Sequence, residues 1–333
     1  MEKKSPRPRS VGATGEFELI RRIQKNANAD DPKVLLGIGD DAAAVLPSPG
    51  NTLLITTDIL LEKTHFDLTF SSYFQIGYKA LAVNISDIAA MGGTPRFYLV
   101  SLGLTGKESV RDIDALYRGM NQAGINLIGG NTVRSAFLFV SITLLGEVPK
   151  NEMVTRSGAS VGDSIYVTGT LGDSLAGLEI RKGLLREKHL MPKARLQQGR
   201  LLAEQKIPSA MIDISDGLSS DLAHVAKQSG VGAQLECANI PISTSLKRYA
   251  KSIGANPLDY ALHGGEEYEL LFCVPEKNRG RLETLIQNGA IDARCIGKCI
   301  PKRNGLLLRK VNGTLHTLEP LGYDHFNLKN TYF

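Results

Sequence analysis

Cysteine is scarce: the 333 residues contain four, Cys237, Cys273, Cys295 and Cys299. None forms a CxxC pair or a Cys/His spacing of the zinc type, which excludes a zinc site and a disulfide framework. Cys295 and Cys299 stand four apart in an apolar run of strand character. They are therefore expected to share one face as buried free thiols. Long apolar runs are missing too. No stretch approaches the ~18 residues of a membrane span, and the N-terminal segment has charges and prolines where a signal peptide has an apolar core. A reducing, cytoplasmic setting with no membrane partner is expected. A strong charge of either sign is also absent. Lysine and arginine total 39 against 34 acidic residues, a net +5. Part of it lies in Lys3, Lys4, Arg7 and Arg9, which read as a solvated tail, so no nucleic-acid partner is expected.

The familiar nucleotide and hydrolase signatures are absent as well. There is no GxxxxGK[ST], which excludes a P-loop protein. There is no HRD or DFG, which excludes a protein kinase, and no GxSxG elbow. GIGDDA matches GxGxxA formally, but its two acids would repel a pyrophosphate.

What is abundant is glycine, with 34 residues, about a tenth of the chain against a usual ~7%. That density points to tight turns or backbone approaching a ligand closely. The length suits two domains, and 42% hydrophobic with 22% charged residues excludes disorder as the overall class. Residues 1–13 read as a flexible leader. A polar, glycine-rich change near residues 150–162 sets the expected boundary, giving domains 14–150 and 151–333. Helices are expected at 16–24, 74–91, 107–123, 174–185, 193–204 and 276–287. Strands are expected at 52–60, 97–104, 137–145, 164–168, 294–299 and 305–309. Gly129 and Gly130 read as a turn. The mixture predicts an α+β or α/β class.

The distinctive chemistry is aspartate embedded in small or apolar runs: Asp40 and Asp41 in GIGDDAAAV, Asp58 in LLITTDIL, Asp87 in AVNISDIAAMGG, Asp213 and Asp216 in MIDISDGLSSDL. An ionised carboxylate is costly to bury without a partner, and few cations neighbour these positions. Bound divalent cations would compensate. Thr56, Thr57 and Ser215 hydroxyls complete an all-oxygen donor set, which favours Mg²⁺ over zinc or copper. Phosphates are the usual co-ligands of Mg²⁺, and glycine turns suit phosphate oxygens. For Asp216 taken alone, capping a helix that starts near Leu218 is an equally good reading.

In this order, GEFELI, GIGDDAAAV, TTDIL…HF, YKALAVNISDIAAMGGTP, LIGGNT, TRSGASVGD, VTGTLGDSLAGL, IDISDGLSSDL, GGEEYELLF and GYDHF run from Gly15 to Phe326. The series resembles the thiamine-monophosphate kinase family of the PurM-like ATP-binding superfamily. The resemblance implies a two-domain PurM-like fold: an N-terminal α+β domain whose sheet pairs across a homodimer, and a C-terminal α/β domain. It implies transfer of the γ-phosphoryl group of ATP to thiamine monophosphate, giving thiamine diphosphate and ADP. Carried over by motif, Asp41, Thr56, Thr57, Asp58, Asp87, Asn131, Asp213 and Asp216 would hold several Mg²⁺ ions. Gly130, Asn131, Arg156 and Ser215 would contact ATP. His65, Glu266 and Tyr323 would contact the thiamine substrate. Two positions depart from the family pattern: Asn131 replaces the aspartate of GGDT, and Glu267 replaces that of GGEDYEL. Both bear on the number and affinity of metal ions and raise the alternative of a non-catalytic relative. A selenophosphate synthetase is disfavoured, because no cysteine precedes Cys237.

Overall fold

The computed structural model describes residues 19, 22, 23, 25, 31–36 and 43–323. The leader at 1–13, most of the helix expected at 16–24, and Asp40 and Asp41 lie outside the described residues. Leu19, Arg22, Ile23 and Lys25 are helical, and the Arg22 Nε donates to Asp114 Oδ1 at 2.6 Å.

Two units emerge. Described residues up to Asn84, together with Pro95–Glu147, form the first, and Ile85–Thr94 with the residues from Val148 onward form the second. The first unit begins with a small ladder of β1 (Val34–Leu36) and β2 (Ala44–Val45). Then come β3 (Asn51–Leu61), α1 (Tyr73–Ala90), β4 (Thr94–Leu104), α2 (Val110–Met120), β5 (Asn126–Arg134) and β6 (Phe139–Pro149). The main strands form one sheet in the order β3-β6-β4-β5. β4, α2 and β5 make a parallel crossover, and Ser109 and Asp112 start α2 with a reciprocal capping box. α1 is mostly buried, its apolar residues spread around the helix with Lys79, Asn84 and Ser86 buried among them. Its last turn belongs to the second unit.

LIGGNT is a strand rather than the expected turn. Gly130 pairs with Val100 in the parallel ladder. A Cβ on Gly130 would come 2.1 Å from the Val100 carbonyl oxygen. Its glycine therefore serves close backbone packing, not a change of direction.

The second unit holds β7 (Ser164–Thr168), α3 (Asp173–Ile180), α4 (Gly183–Leu190), α5 (Leu196–Glu204), β8 (Ala210–Asp213) and α6 (Leu218–Ser229). It continues with β9 (Val231–Glu236), α7 (Thr244–Ile253), α8 (Pro257–His263), β10 (Leu270–Val274) and α9 (Glu276–Gln287). It closes with β11 (Ala293–Pro301), β12 (Leu306–Arg309) and β13 (Leu315–Thr317). One seven-stranded sheet runs β13-β12-β9-β11-β7-β10-β8. Ile165 and Val167 face one core with Ile212, Leu222 and Val225. Tyr166 faces the other with Leu202, Phe272 and Leu282. Burial on both faces explains why β7 and β10 read as continuous apolar runs rather than alternating ones.

Cys295 and Cys299 do not share a face. The register of β11 against β7 shifts between Cys295 and Gly297, and a bulge inverts the alternation beyond it. Cys299 packs into the first core, where its Sγ lies 3.7 Å from that of Cys273, and Cys295 packs against the second.

Candidate functional site

The first unit places Thr56 and Asp58 on the face of β3 that carries the buried Leu54 and Leu60, because side chains alternate along a strand. Thr57 lies on the opposite face. Its Oγ1 donates to the Ile142 carbonyl of β6 at 2.8 Å. The turn after β3 carries His65, whose Nδ1 accepts the Leu61 N–H at 3.0 Å. The proton of the neutral ring therefore sits on Nε2.

Gly130 and Asn131 lie on β5, at the other edge of the sheet. They line a pocket of about 90 Å³ with Ile23, Val100, Tyr117 and Leu127. β3 and β5 are the two outer strands, so three strand spacings, about 14 Å, separate them. One copy of this unit does not bring Asp58 and Asn131 to a single point.

The second unit gathers residues far apart in sequence. β8 ends at Asp213, and the loop to α6 carries Ser215 and Asp216. The Glu266 N–H donates to the Ser215 carbonyl at 2.7 Å, Tyr268 N–H to Ile214 at 2.8 Å, and Tyr323 N–H to Asp216 at 2.9 Å. Ser215, Asp216, Glu266 and Tyr323 thus share one hydrogen-bonded patch. Glu266 and Tyr268 have φ of 61° and 54°. Such left-handed positions cost of order 1–3 kcal/mol each and persist only where the surroundings hold them. These backbone bonds supply that hold. Asp87 is in the same unit, and its neighbour Ser86 donates to Asp213 Oδ2 at 2.7 Å. Arg156 is exposed in the loop between β6 and β7, and its carbonyl accepts the Ser229 hydroxyl at 3.4 Å.

The N-cap position of α6 does not fall on Asp216. Gly217 is the N-cap, without a side-chain bond. Asp221, in the first turn, accepts the N–H groups of Asp216 at 3.2 Å and Gly217 at 3.0 Å. Burial, followed by the Asp216 and Asp213 carboxylates, pushes the Asp221 carboxyl up to about 8. Sequence reasoning missed Asp221, although SSDL stands beside the aspartates it singled out. The side chain of Glu267 caps instead of facing a metal. Its Oε1 accepts the Ser174 N–H in the first turn of α3 at 3.0 Å, and burial with the nearby Asp173 carboxylate raises its carboxyl well above the usual range.

Among the described residues, no group of three or more His, Cys, Asp or Glu side chains forms a ready metal cage. The donor chemistry nevertheless fits a hard cation. Burial, and then the charges of Asp216 and Asp213, disfavour an ionised Asp221, and the donors are oxygen throughout. Among the described residues, no helix is long and apolar enough to cross a membrane.

Known proteins share the sequence and fold of this chain. Family models for AIR synthase related proteins match twice, the N-terminal domain over residues 39–148 and the C-terminal domain over 160–308. Thiamine-monophosphate kinase from Escherichia coli (strain K12) is 40% identical, covering 94% of this chain and 99% of its own. The crystal structure of thiamine-monophosphate kinase from Stenotrophomonas maltophilia K279a superposes with a TM-score of 0.78 at 34% identity, covering 88% of this chain and 96% of that one. AaThiL complexed with AMPPCP and TMP superposes with a TM-score of 0.74 at 34% identity, covering 96% and 99%.

Proposed function

Because the chain belongs to the thiamine-monophosphate kinase family of AIR synthase related proteins, we propose that it transfers the γ-phosphoryl group of ATP to the phosphate of thiamine monophosphate. The products are thiamine diphosphate and ADP, formed by direct in-line transfer. The observation that carries this most directly is the patch of the second unit. Hydrogen bonds there join residues expected at the nucleotide (Ser215), the metal (Asp216) and the acceptor (Glu266 and Tyr323).

Phosphoryl transfer depends on positioning and charge neutralisation. The acceptor is itself a phosphate, carrying about −1.5 to −2 near neutral pH. It needs no general base. The difficulty is repulsion between acceptor and triphosphate. Gly130 and Asn131 bind the nucleotide at the pocket of the first unit. Arg156 neutralises donor phosphate oxygens, and the Ser215 hydroxyl donates to them. His65, Glu266 and Tyr323 hold the acceptor, with His65 donating from Nε2. Asp41, Thr56, Thr57, Asp58, Asp87, Asn131, Asp213 and Asp216 would hold Mg²⁺, which would supply positive charge to neutralise the phosphates. Thr57 can join that set while keeping its bond to Ile142, because a cation takes a lone pair of the hydroxyl and the carbonyl takes its proton. Asn131 offers a neutral carbonyl where the family pattern has a charge.

The working form is a homodimer. The outer face of β3 leaves Leu53, Ile55 and Ile59 exposed at 43%, 66% and 50%, and β3 and β5 are the outer strands of the four-stranded sheet. A second copy covers that face and sets its β3 against β5 of the first. Four free cysteines suit a reducing cytoplasm.

The test is ADP release with ATP and Mg²⁺, using thiamine monophosphate, free thiamine or no acceptor, with thiamine diphosphate identified by mass. Turnover with the monophosphate alone is expected. No turnover across a wide Mg²⁺ range, with folding and ATP binding intact, refutes the kinase function and favours a non-catalytic relative.

A further inference from the structure

α3 and α4 form a tight helical hairpin. A Cβ on Gly177 would come 2.0 Å from the Leu185 carbonyl oxygen, so only glycine lets the two backbones approach this closely. The approach sets His189, in the last turn of α4, over Ser174, in the first turn of α3. The His189 Nδ1 lies 3.1 Å from Ser174 Oγ and 3.3 Å from Glu266 Oε2. An ionised carboxylate only accepts, so Nδ1 carries a proton in that contact and is the donor. The His189 side chain is 2% exposed and that of Glu266 27%. The histidine therefore grips the carboxylate from within the protein while Glu266 keeps a face toward solvent. The next residue makes a second tie to the same helix turn through the Glu267 bond to Ser174 N–H.

We propose that His189, backed by Ser174, is a positioning residue that orients the Glu266 carboxylate and so determines affinity for the organic part of the acceptor. The backbone of the 266–268 loop is already held by its bonds to Ser215 and Ile214. His189 adds a tie on the glutamate side chain itself. An oriented carboxylate suits a ligand with a fixed positive ring and an amino group, the chemistry of a thiazolium joined to an aminopyrimidine. As it rests on the kinase function proposed above, the role predicts selectivity between the two substrates: acceptor binding depends on His189, and ATP binding does not.

Steady-state kinetics on the full-length protein test this with His189→Ala, His189→Asn, His189→Gln and Ser174→Ala. Asparagine keeps a donor where Nδ1 was, and glutamine moves it to the Nε2 position. Loss of a hydrogen bond to a charged group predicts that His189→Ala and His189→Gln raise the acceptor KM about tenfold or more. The ATP KM should stay within about twofold, because uniform acceptor binding alone is lost. His189→Asn should restore most of the acceptor affinity, and Ser174→Ala should have a smaller effect in the same direction. A structural role alone would lower thermal stability and move both KM values together. The role is overturned if asparagine and glutamine behave alike, if the ATP KM rises with the acceptor KM, or if the acceptor KM does not change. Should His189→Ala not fold, the Asn/Gln pair decides. A wild-type protein without turnover refutes the kinase function itself, and an active one with unchanged acceptor KM in the variants refutes only the positioning role.

Discussion

Gly130→Ala tests the link between strand packing and nucleotide binding. The added Cβ would sit 2.1 Å from the Val100 carbonyl oxygen, with the Val100 carbonyl carbon at 3.0 Å and its nitrogen at 3.1 Å. All three are backbone atoms of a paired strand and have no rotamer to change. β4 and β5 must therefore separate by about 1 Å, and overpacking of this kind costs about 1–3 kcal/mol. A domain of this size loses roughly 2–4 °C per kcal/mol, so a fall of about 2–12 °C is expected. Gly129→Ala is the internal control, since its Cβ would meet only the flexible Leu99 side chain, at 3.2 Å. Both glycines line the same pocket. Displacement of about 1 Å at a binding site can cost two orders of magnitude, so the ATP KM should rise sharply in Gly130→Ala. Differential scanning fluorimetry and initial rates against ATP and acceptor read both effects. If the two alanine variants match in melting temperature and ATP KM, strand packing does not govern nucleotide binding here.

Three further outcomes follow from particular groups. Glu147 is buried, which by itself raises its carboxyl, but bonds from Ser48 and Asn51 and the charge of Lys33 outweigh this and hold it at about 2. A depressed carboxylate stabilises the fold fully above the unfolded value near 4.5, and that contribution disappears as pH falls toward 2. Glu147→Gln should therefore cost about 2 kcal/mol at pH 7 and flatten the acid limb of a melting series from pH 6 to 2.5. An unchanged limb would remove Glu147 as its cause. Asp213→Asn keeps an acceptor for Ser86 while removing charge, so turnover should fall at least about a hundredfold with little change in melting temperature. Near-normal turnover would take Asp213 out of the site. Ile55→Lys combined with Ile59→Lys puts two charges on the uncovered face of β3 and should yield a monomer by light scattering, with a dimer in the double variant speaking against that face as the interface.

Local pattern made much of the fold legible. TLLITTDIL is rich in β-branched residues and folds as β3, extended by one residue at each end. The helix expected at 276–287 is α9. The misreadings have local causes. Two glycines suggested a turn in LIGGNT, yet a strand tolerates them where a neighbouring backbone comes close. Four-residue spacing put Cys295 and Cys299 on one face, but a bulge between them changed the parity. The helix expected at 174–185 breaks into α3 and α4 at Arg181, which adopts φ of 52°, and the hairpin this creates carries His189 to Glu266.

The amino-acid sequence by itself determined the family and most of the secondary structure. Motif order and strand or helix periodicity are properties of residues and their near neighbours. Only the tertiary structure decided which of those residues meet. Ser215, Asp216, Glu266 and Tyr323 come together through loop bonds across large sequence separations, while Asp58 and Asn131 fall on opposite edges of one sheet. Strand order and register arise from long-range pairing, where a single-residue shift turns a side chain to the other face. Spacing along the chain carries no record of that pairing.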